Sequence, residues 1–90
     1  MKHFDDHRSA QAWYSVDSEG RPYSLVSYTT TVIEITSDGW LYVNGLYSKT
    51  TRKHIGWFMR LLGMTYQDAK ALYEDGMTYN VNTGEVKPMR

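Results

Sequence analysis

Residues 29–44 read TTTVIEITSDGWLYVN, two runs of β-branched and aromatic residues on either side of Ser-Asp-Gly. This arrangement predicts a β-hairpin. A two-residue Asp-Gly loop would place Ile35 opposite Tyr42. A three-residue Ser-Asp-Gly loop, with its glycine left-handed, would instead put four aliphatic side chains on one face, Ile33, Ile35, Leu41 and Val43. Because a one-residue slip would invert each strand, we favour the second register, in which Trp40, Tyr42 and Glu34 share the other face.

Further elements lie on both sides of this hairpin. Residues 13–16 and 23–28 flank an Asp-Ser-Glu-Gly turn and predict a second hairpin, in which Pro22 limits the later strand to a sheet edge or a late start. Residues 77–81 and 85–87 flank Asn-Thr-Gly and predict a third, smaller hairpin. The pattern therefore predicts an α+β protein with an antiparallel sheet of four to five short strands and two short helices packed on one face.

The two helices are marked by their termini. The first is predicted to run from about Thr51 to about Leu62, where Gly63 ends it, and the candidate N-caps are Ser48, Thr50 and Thr51. The second opens at a capping-box sequence, Thr-Tyr-Gln-Asp at residues 65–68, and ends before Gly76. At 90 residues the chain forms one domain, with its core in residues 13–87. Residues 1–12 fit either a short helix around 6–12 or a mobile segment.

The composition excludes several classes of protein. The chain is 41% hydrophobic with net charge +0 and no cysteine, so it is a folded protein without disulfides or zinc–thiolate sites. Its first residues are polar and no apolar run approaches the ~20 residues of a membrane span, which predicts a cytoplasmic protein without membrane contact. Eight tyrosines and three tryptophans exceed what a small core can enclose. Several must therefore lie at the surface, where these side chains favour binding faces.

The first predicted helix has two contrasting sides. Its apolar arc contains Ile55, Phe58, Met59 and Leu62, extended by His54 and Leu61. The opposite side contains Arg52, Lys53 and Arg60 around Gly56, with Trp57 at the boundary and Lys49 just before. One interpretation is a solvated cationic face, with Gly56 making room for a neighbouring strand. The other is a face that binds a phosphate backbone and stacks a base beside Trp57. His54 is expected to be a hydrogen-bonded core or boundary residue.

The sequence offers little for catalysis or metal binding. His3, Asp5, Asp6 and His7 have metal-like spacing, but a terminus lacks the supporting shell of a preorganised site. The chain has no Gly-x-Ser-x-Gly elbow and no phosphate-cradling glycine loop, so neither an enzyme nor a cofactor is expected. A helix-turn-helix is also disfavoured, because its recognition helix would be acidic and phosphates would repel it.

Two sequence blocks resemble a known pattern. Residues 27–32 read SYTTTV, and residues 47–58 read YSKTTRKHIGWF. They resemble small uncharacterised proteins of bacteriophages and prophages, which share a Ser-Tyr-x-Thr-x-Val strand and a Tyr-Ser-x-Thr-Thr-x-x-His-Ile-x-x-Phe helix start. The resemblance implies a phage or mobile-element origin and, if the protein is phage-encoded, the host cytoplasm as its location. It implies no particular activity.

Two functional hypotheses follow from these observations. In the first, the protein binds a host protein or nucleoprotein complex stoichiometrically, as an inhibitor of a defence complex of the anti-CRISPR kind would, through exposed aromatic residues, Trp40, Tyr42 and Tyr47. In the second, it binds DNA or RNA through the cationic side of the first helix, with Lys49, Arg52, Lys53, Trp57 and Arg60 as contacts. A sheet edge and a spare aromatic face also make a homodimer a reasonable expectation.

Overall fold

The computed structural model of the chain describes residues 1–4 and 10–89. Within them, one antiparallel sheet contains seven strands, β1 (Lys2–His3), β2 (Ala12–Val16), β3 (Pro22–Ser27), β4 (Thr30–Ile35), β5 (Trp40–Val43), β6 (Met77–Asn80) and β7 (Val86–Pro88). Each strand pairs with its neighbours in sequence, so the sheet is a meander from β1 to β7. Two helices, α1 (Lys49–Leu61) and α2 (Tyr66–Asp75), form the connection between β5 and β6. The predicted α+β class is confirmed.

The predicted number of strands, four to five, is wrong. The two edge strands are only two and three residues long, too short to show a hydrophobic period of their own. They are strands because a neighbour supplies the hydrogen bonds, as where Lys2 pairs with Tyr14 and His3 with Trp13. Most of the helix expected around residues 6–12 lies outside the described residues, and Ala12 at its end belongs to β2.

The central hairpin has the predicted register. Ile33 lies opposite Val43, Glu34 opposite Tyr42, and Ile35 opposite Leu41. Gly39 adopts a φ of 98°, and its N–H donates to the Thr36 carbonyl at 2.9 Å. These contacts define a three-residue loop with a left-handed glycine. The register that places Ile33, Ile35, Leu41 and Val43 on one face is therefore confirmed.

The hairpin of β2 and β3 is also confirmed, and Pro22 is the first residue of β3, paired with Val16. The turn between β3 and β4 was missed, because it consists of Tyr28 and Thr29 and contains none of the usual turn residues. A register shift in this pair opposite Leu25 lets consecutive residues of β4, Val32 and Ile33, both be buried.

Both helices end next to the predicted glycines, but α1 begins at Lys49, two residues before the predicted Thr51, because Ser48 is the cap among the three candidates. The Ser48 side chain caps α1 by accepting a bond from the Thr51 N–H, and Gly63 follows the C-cap with a φ of 74°. At α2, Thr65 and Asp68 form the capping box, and Gly76 is the left-handed C-cap with a φ of 66°. Neither helix is long and apolar enough to cross a membrane, as far as the described part of the chain shows.

The core lies between the helices and one face of the sheet. From α1 it takes Ile55, Phe58 and Met59, which are fully buried together with strand residues Leu25, Ile33, Leu41 and Val43. Leu61 was expected to extend the apolar arc of α1, but its side chain is 44% exposed. The chain turns immediately after it, so that Leu62 and Met64 pack on the core and leave Leu61 outside.

Candidate nucleic-acid interface

A buried polar network joins the end of β3 to the first turns of α1. The Ser27 hydroxyl lies 2.7 Å from Nδ1 of His54 and 3.2 Å from the hydroxyl of Thr51. The Ser48 hydroxyl donates to the same Thr51 oxygen at 3.2 Å. Ser27 belongs to the first of the two blocks quoted above, and Ser48, Thr51 and His54 belong to the second, at least 21 residues further along the chain. The network therefore fixes where α1 starts relative to the sheet.

The Ser27–His54 pair resembles a nucleophile and base only superficially. Both side chains are about 2% exposed, so a substrate atom has no path to the serine oxygen. Buried hydroxyl and imidazole groups need hydrogen-bond partners, and here each satisfies the other. We interpret the pair as a structural element, which agrees with the expectation for His54.

The exposed side of α1 carries four cations, Lys49, Arg52, Lys53 and Arg60, hereafter the cationic face. The helix contains no acidic residue. Ion pairs within the described residues join Arg21 to Asp17 and Glu19, and Lys70 to Glu74, so none of them neutralises the cationic face. The predicted grouping of these four side chains on one exposed surface is present in the structure.

The arrangement of this charge is unfavourable for the helix itself. Lys49 occupies the first position of α1, where the helix dipole disfavours a positive charge. Lys53 lies one turn later on the same side, and like charges at this spacing destabilise a helix by about 0.2–0.5 kcal/mol. The arrangement concentrates positive charge at the start of α1 at a small cost in helix stability.

Trp57 was expected to offer an exposed ring on which a base could stack, and the structure places its ring differently. Its ring is half-buried and lies 5.6 Å from the ring of Phe4 and 5.1 Å from that of His54, between centroids. The Lys53 ammonium lies 5.4 Å from the ring centroid, a cation–π contact that holds this lysine over the indole. Trp57 thus positions a cation of the face and joins the N-terminal segment to α1.

Gly56 does not serve either of the roles considered for it. A Cβ added at this position would lie 3.6 Å from the Cβ of Tyr66, at the start of α2. The neighbour of Gly56 is therefore the second helix, and neither a strand nor open space for a phosphate backbone. The contact is an ordinary van der Waals distance, so a methyl group would fit there.

Two exposed tyrosines flank the buried network. Tyr28 follows Ser27 and is 49% exposed, while Tyr47 precedes Ser48 and is 56% exposed. Both have positive φ, 57° and 39°, which is rare for bulky side chains. Tyr47 was among the predicted binding residues, but Tyr28 was missed because its turn has no sequence signal.

The remaining predicted aromatic residues, Trp40 and Tyr42, lie on the sheet face opposite the helices, hereafter the outer face. Trp40 holds the Lys87 ammonium 4.0 Å from its ring centroid, and Tyr42 is half-buried opposite Glu34. Strand pairing puts Trp13 on the same face, which the sequence analysis did not anticipate. Tyr47 does not belong to this set, because it lies in the segment that leads into α1.

A cleft of about 390 Å³ lies at the turn ends of the sheet, and none of these aromatic residues lines it. Its rim includes Asp17 and Arg21, which form an ion pair at 3.1 Å. Backbone N–H donation from Arg21, above all, lowers the pKa of the Asp17 carboxyl below its ordinary value. The same bonds close the β2–β3 turn, so this carboxylate has a structural role.

Fold and surface together define a small α+β protein in which an antiparallel meander presents a helix with a cationic face that no ion pair of the described residues neutralises. Residues 4–80 match the model of a family of unknown function, DUF8033. The match covers most of the chain, which therefore belongs to this family. No curated protein and no solved structure matches the chain.

Proposed function

We propose that this protein acts by stoichiometric, cofactor-free binding and that the cationic face of α1 binds the phosphate backbone of a nucleic acid, free or within a nucleoprotein complex. The observation that carries the proposal is a helix with four exposed cations, no acid and no neutralising ion pair among the described residues. The resemblance of residues 27–32 and 47–58 to phage proteins supports a role as a phage-type accessory protein in the cytoplasm of a host cell.

The charge arrangement supports phosphate as the ligand. Bound phosphates would neutralise Lys49 and Lys53, and the dipole at the start of α1 would then favour the complex. If three to four cations each contact one phosphate of a duplex, raising the salt concentration from 50 to 200 mM should weaken binding about 40- to 150-fold. A protein–protein contact of similar affinity would respond much less to salt.

The test is a fluorescence-anisotropy titration of labelled single- and double-stranded DNA at these two salt concentrations. The variant Arg52→Ala/Arg60→Ala should bind more weakly and lose about two phosphate contacts from the salt slope. Arg21→Ala/Lys70→Ala is the matched control, because it removes the same net charge from exposed sites away from α1. Absence of binding at 50 mM salt, or equal losses in both double variants, would contradict the proposal.

A second candidate function is supported by the outer face. Trp13, Trp40 and Tyr42 lie on a sheet surface that neither α1 nor α2 covers, and such aromatic residues are typical centres of protein interfaces. A host protein, such as a component of a defence complex, is the partner class this surface would suit, and a second copy of the chain is the alternative. If the outer face binds the partner, Trp40→Ala should abolish partner binding, whereas Arg52→Ala should have little effect on it. Sedimentation velocity would detect a homodimer directly.

A further inference from the structure

We infer that Tyr28 and Tyr47 form a stacking site for unpaired bases, so that the protein binds single-stranded nucleic acid in preference to duplex. The inference rests on the proposed function, because it takes the cationic face as the phosphate-binding surface. It adds the class of nucleic acid and two contact residues outside α1.

The buried network brings the two tyrosines to one corner of the molecule. Ser27 and Ser48 both bond to the hydroxyl of Thr51, at 3.2 Å each. Tyr28 and Tyr47 are the chain neighbours of these two serines. Tyr47 is two residues before Lys49, the first residue of α1, and the Tyr28 ring lies 5.9 Å from the His54 ring of the same helix, between centroids.

The backbone holds both tyrosines in a conformation that bulky residues avoid. Tyr28 occupies the first position of a two-residue hairpin loop, with a φ of 57°, where glycine is the usual residue. Tyr47 has a φ of 39° in the segment before α1. Such strain persists only where the surrounding structure imposes it, and it concentrates at functional sites. For Tyr28, the two-residue loop between β3 and β4 imposes it.

Each ring is supported from the protein side and remains accessible. The Tyr47 ring lies against the backbone of Gly45, so closely that a Cβ there would be 2.8 Å from its Cζ atom. The Tyr28 ring is tilted toward the buried His54 imidazole, 5.9 Å away between centroids. Even so, the two side chains are 49% and 56% exposed. An aromatic ring fixed on one side and open on the other is a platform on which a base can stack.

Unpaired bases are the occupant that this combination favours. In a duplex the bases are already stacked inside, and only edges and phosphates reach the surface. Flexible single strands can turn bases toward the rings while their phosphates follow Lys49, Arg52 and Lys53. An acidic protein segment could satisfy the cations, but it would leave the two exposed rings without a role.

The experiment measures, by fluorescence anisotropy, the binding of the 90-residue chain and its variants to two fluorescein-labelled DNAs, a 15-nucleotide oligothymidylate (dT15) and a 15-base-pair duplex. Tyr28→Asn/Tyr47→Asn is the test variant, because asparagine tolerates positive φ better than most residues. We expect it to lose about 5- to 150-fold in dT15 affinity for each ring that stacks, with an unchanged salt slope and unchanged duplex binding. Tyr28→Phe/Tyr47→Phe keeps both rings and should bind dT15 like the parent.

Tyr73→Asn is the control, since Tyr73 is an exposed tyrosine on α2. Equal affinity of the parent for dT15 and duplex, or full dT15 affinity in the folded double Asn variant, would overturn the inference. If either of these outcomes occurred while Arg52→Ala/Arg60→Ala still weakened DNA binding, the inference would fail and the proposed function would stand. Absence of binding to either DNA would overturn both. If the double variant unfolds, each single Asn variant and the parent's dT15-to-duplex ratio decide the question.

Discussion

Lys49→Glu should make the protein more stable and a weaker nucleic-acid binder. Lys49 is the first residue of α1, so glutamate there replaces an unfavourable interaction with the helix dipole by a favourable one, each worth about 0.3–1 kcal/mol. It also turns the repulsion from Lys53 into an attraction, each worth about 0.2–0.5 kcal/mol. Because Lys49 is exposed, we take the lower end of each range, and the sum is a gain of about 1 kcal/mol.

For a domain of this size, this gain corresponds to a rise in Tm of about 4–8 °C. Circular-dichroism melting in low salt would measure it, and the rise should shrink in 0.5 M NaCl because salt screens surface charges. The loss of one phosphate contact should weaken DNA binding about tenfold at 50 mM salt.

Lys70→Glu is the control for net charge, since it makes the same change on α2. It replaces a 4.0 Å pairing with Glu74 by a repulsion, so this variant should be slightly less stable than the parent. A Tm for Lys49→Glu equal to or below that of the parent in low salt would refute the view that α1 carries its charge at a cost. A higher Tm with undiminished DNA binding would show that the cationic face is not the binding surface.

Three further predictions concern stability. Gly56→Ala should raise the free energy of unfolding by about 0.5–1 kcal/mol, because alanine favours helix interiors and its methyl group would contact Tyr66 of α2 at 3.6 Å. Urea unfolding measures this free energy. A loss of stability would mean that the helices cannot accept the methyl group. Ser27→Ala should lower the free energy of unfolding by about 1–3 kcal/mol, because it removes the buried hydroxyl 2.7 Å from His54. An unchanged free energy of unfolding in the same assay would show that the network does not secure α1. Asp38→Asn should lower the urea midpoint at pH 7 and reduce its fall between pH 7 and pH 3. Donation from the Thr36 hydroxyl, above all, holds the pKa of Asp38 below its ordinary 3.8, so the carboxylate stabilises the fold above that pH and this contribution is lost as pH falls through the lowered pKa. An identical pH dependence in the variant and the parent would contradict this assignment.

The features that sequence predicted correctly are those set by near neighbours in the chain. The register of β4 and β5 followed from side-chain alternation and a three-residue loop ending in Gly39. The capping box at Thr65 and the glycines after each helix marked the helix ends, because caps are local hydrogen bonds. The cationic face followed from helical periodicity alone. Each of these is decided within about ten residues of chain.

Tertiary structure decided everything that depends on contacts between distant residues. The edge strands exist only through pairing with a neighbour, and the element next to Gly56 is a second helix. The hydrogen bonds of Ser27 to Thr51 and His54 span 24 and 27 residues of chain, so no local pattern predicts them. Those bonds join Ser27 and Ser48, the chain neighbours of Tyr28 and Tyr47, to the first turn of α1 through Thr51. The sequence by itself thus determined the fold class, the central register and the charge of the helix, whereas only folding brought the end of β3 to the start of that helix, because a meeting of distant segments depends on how the whole core packs.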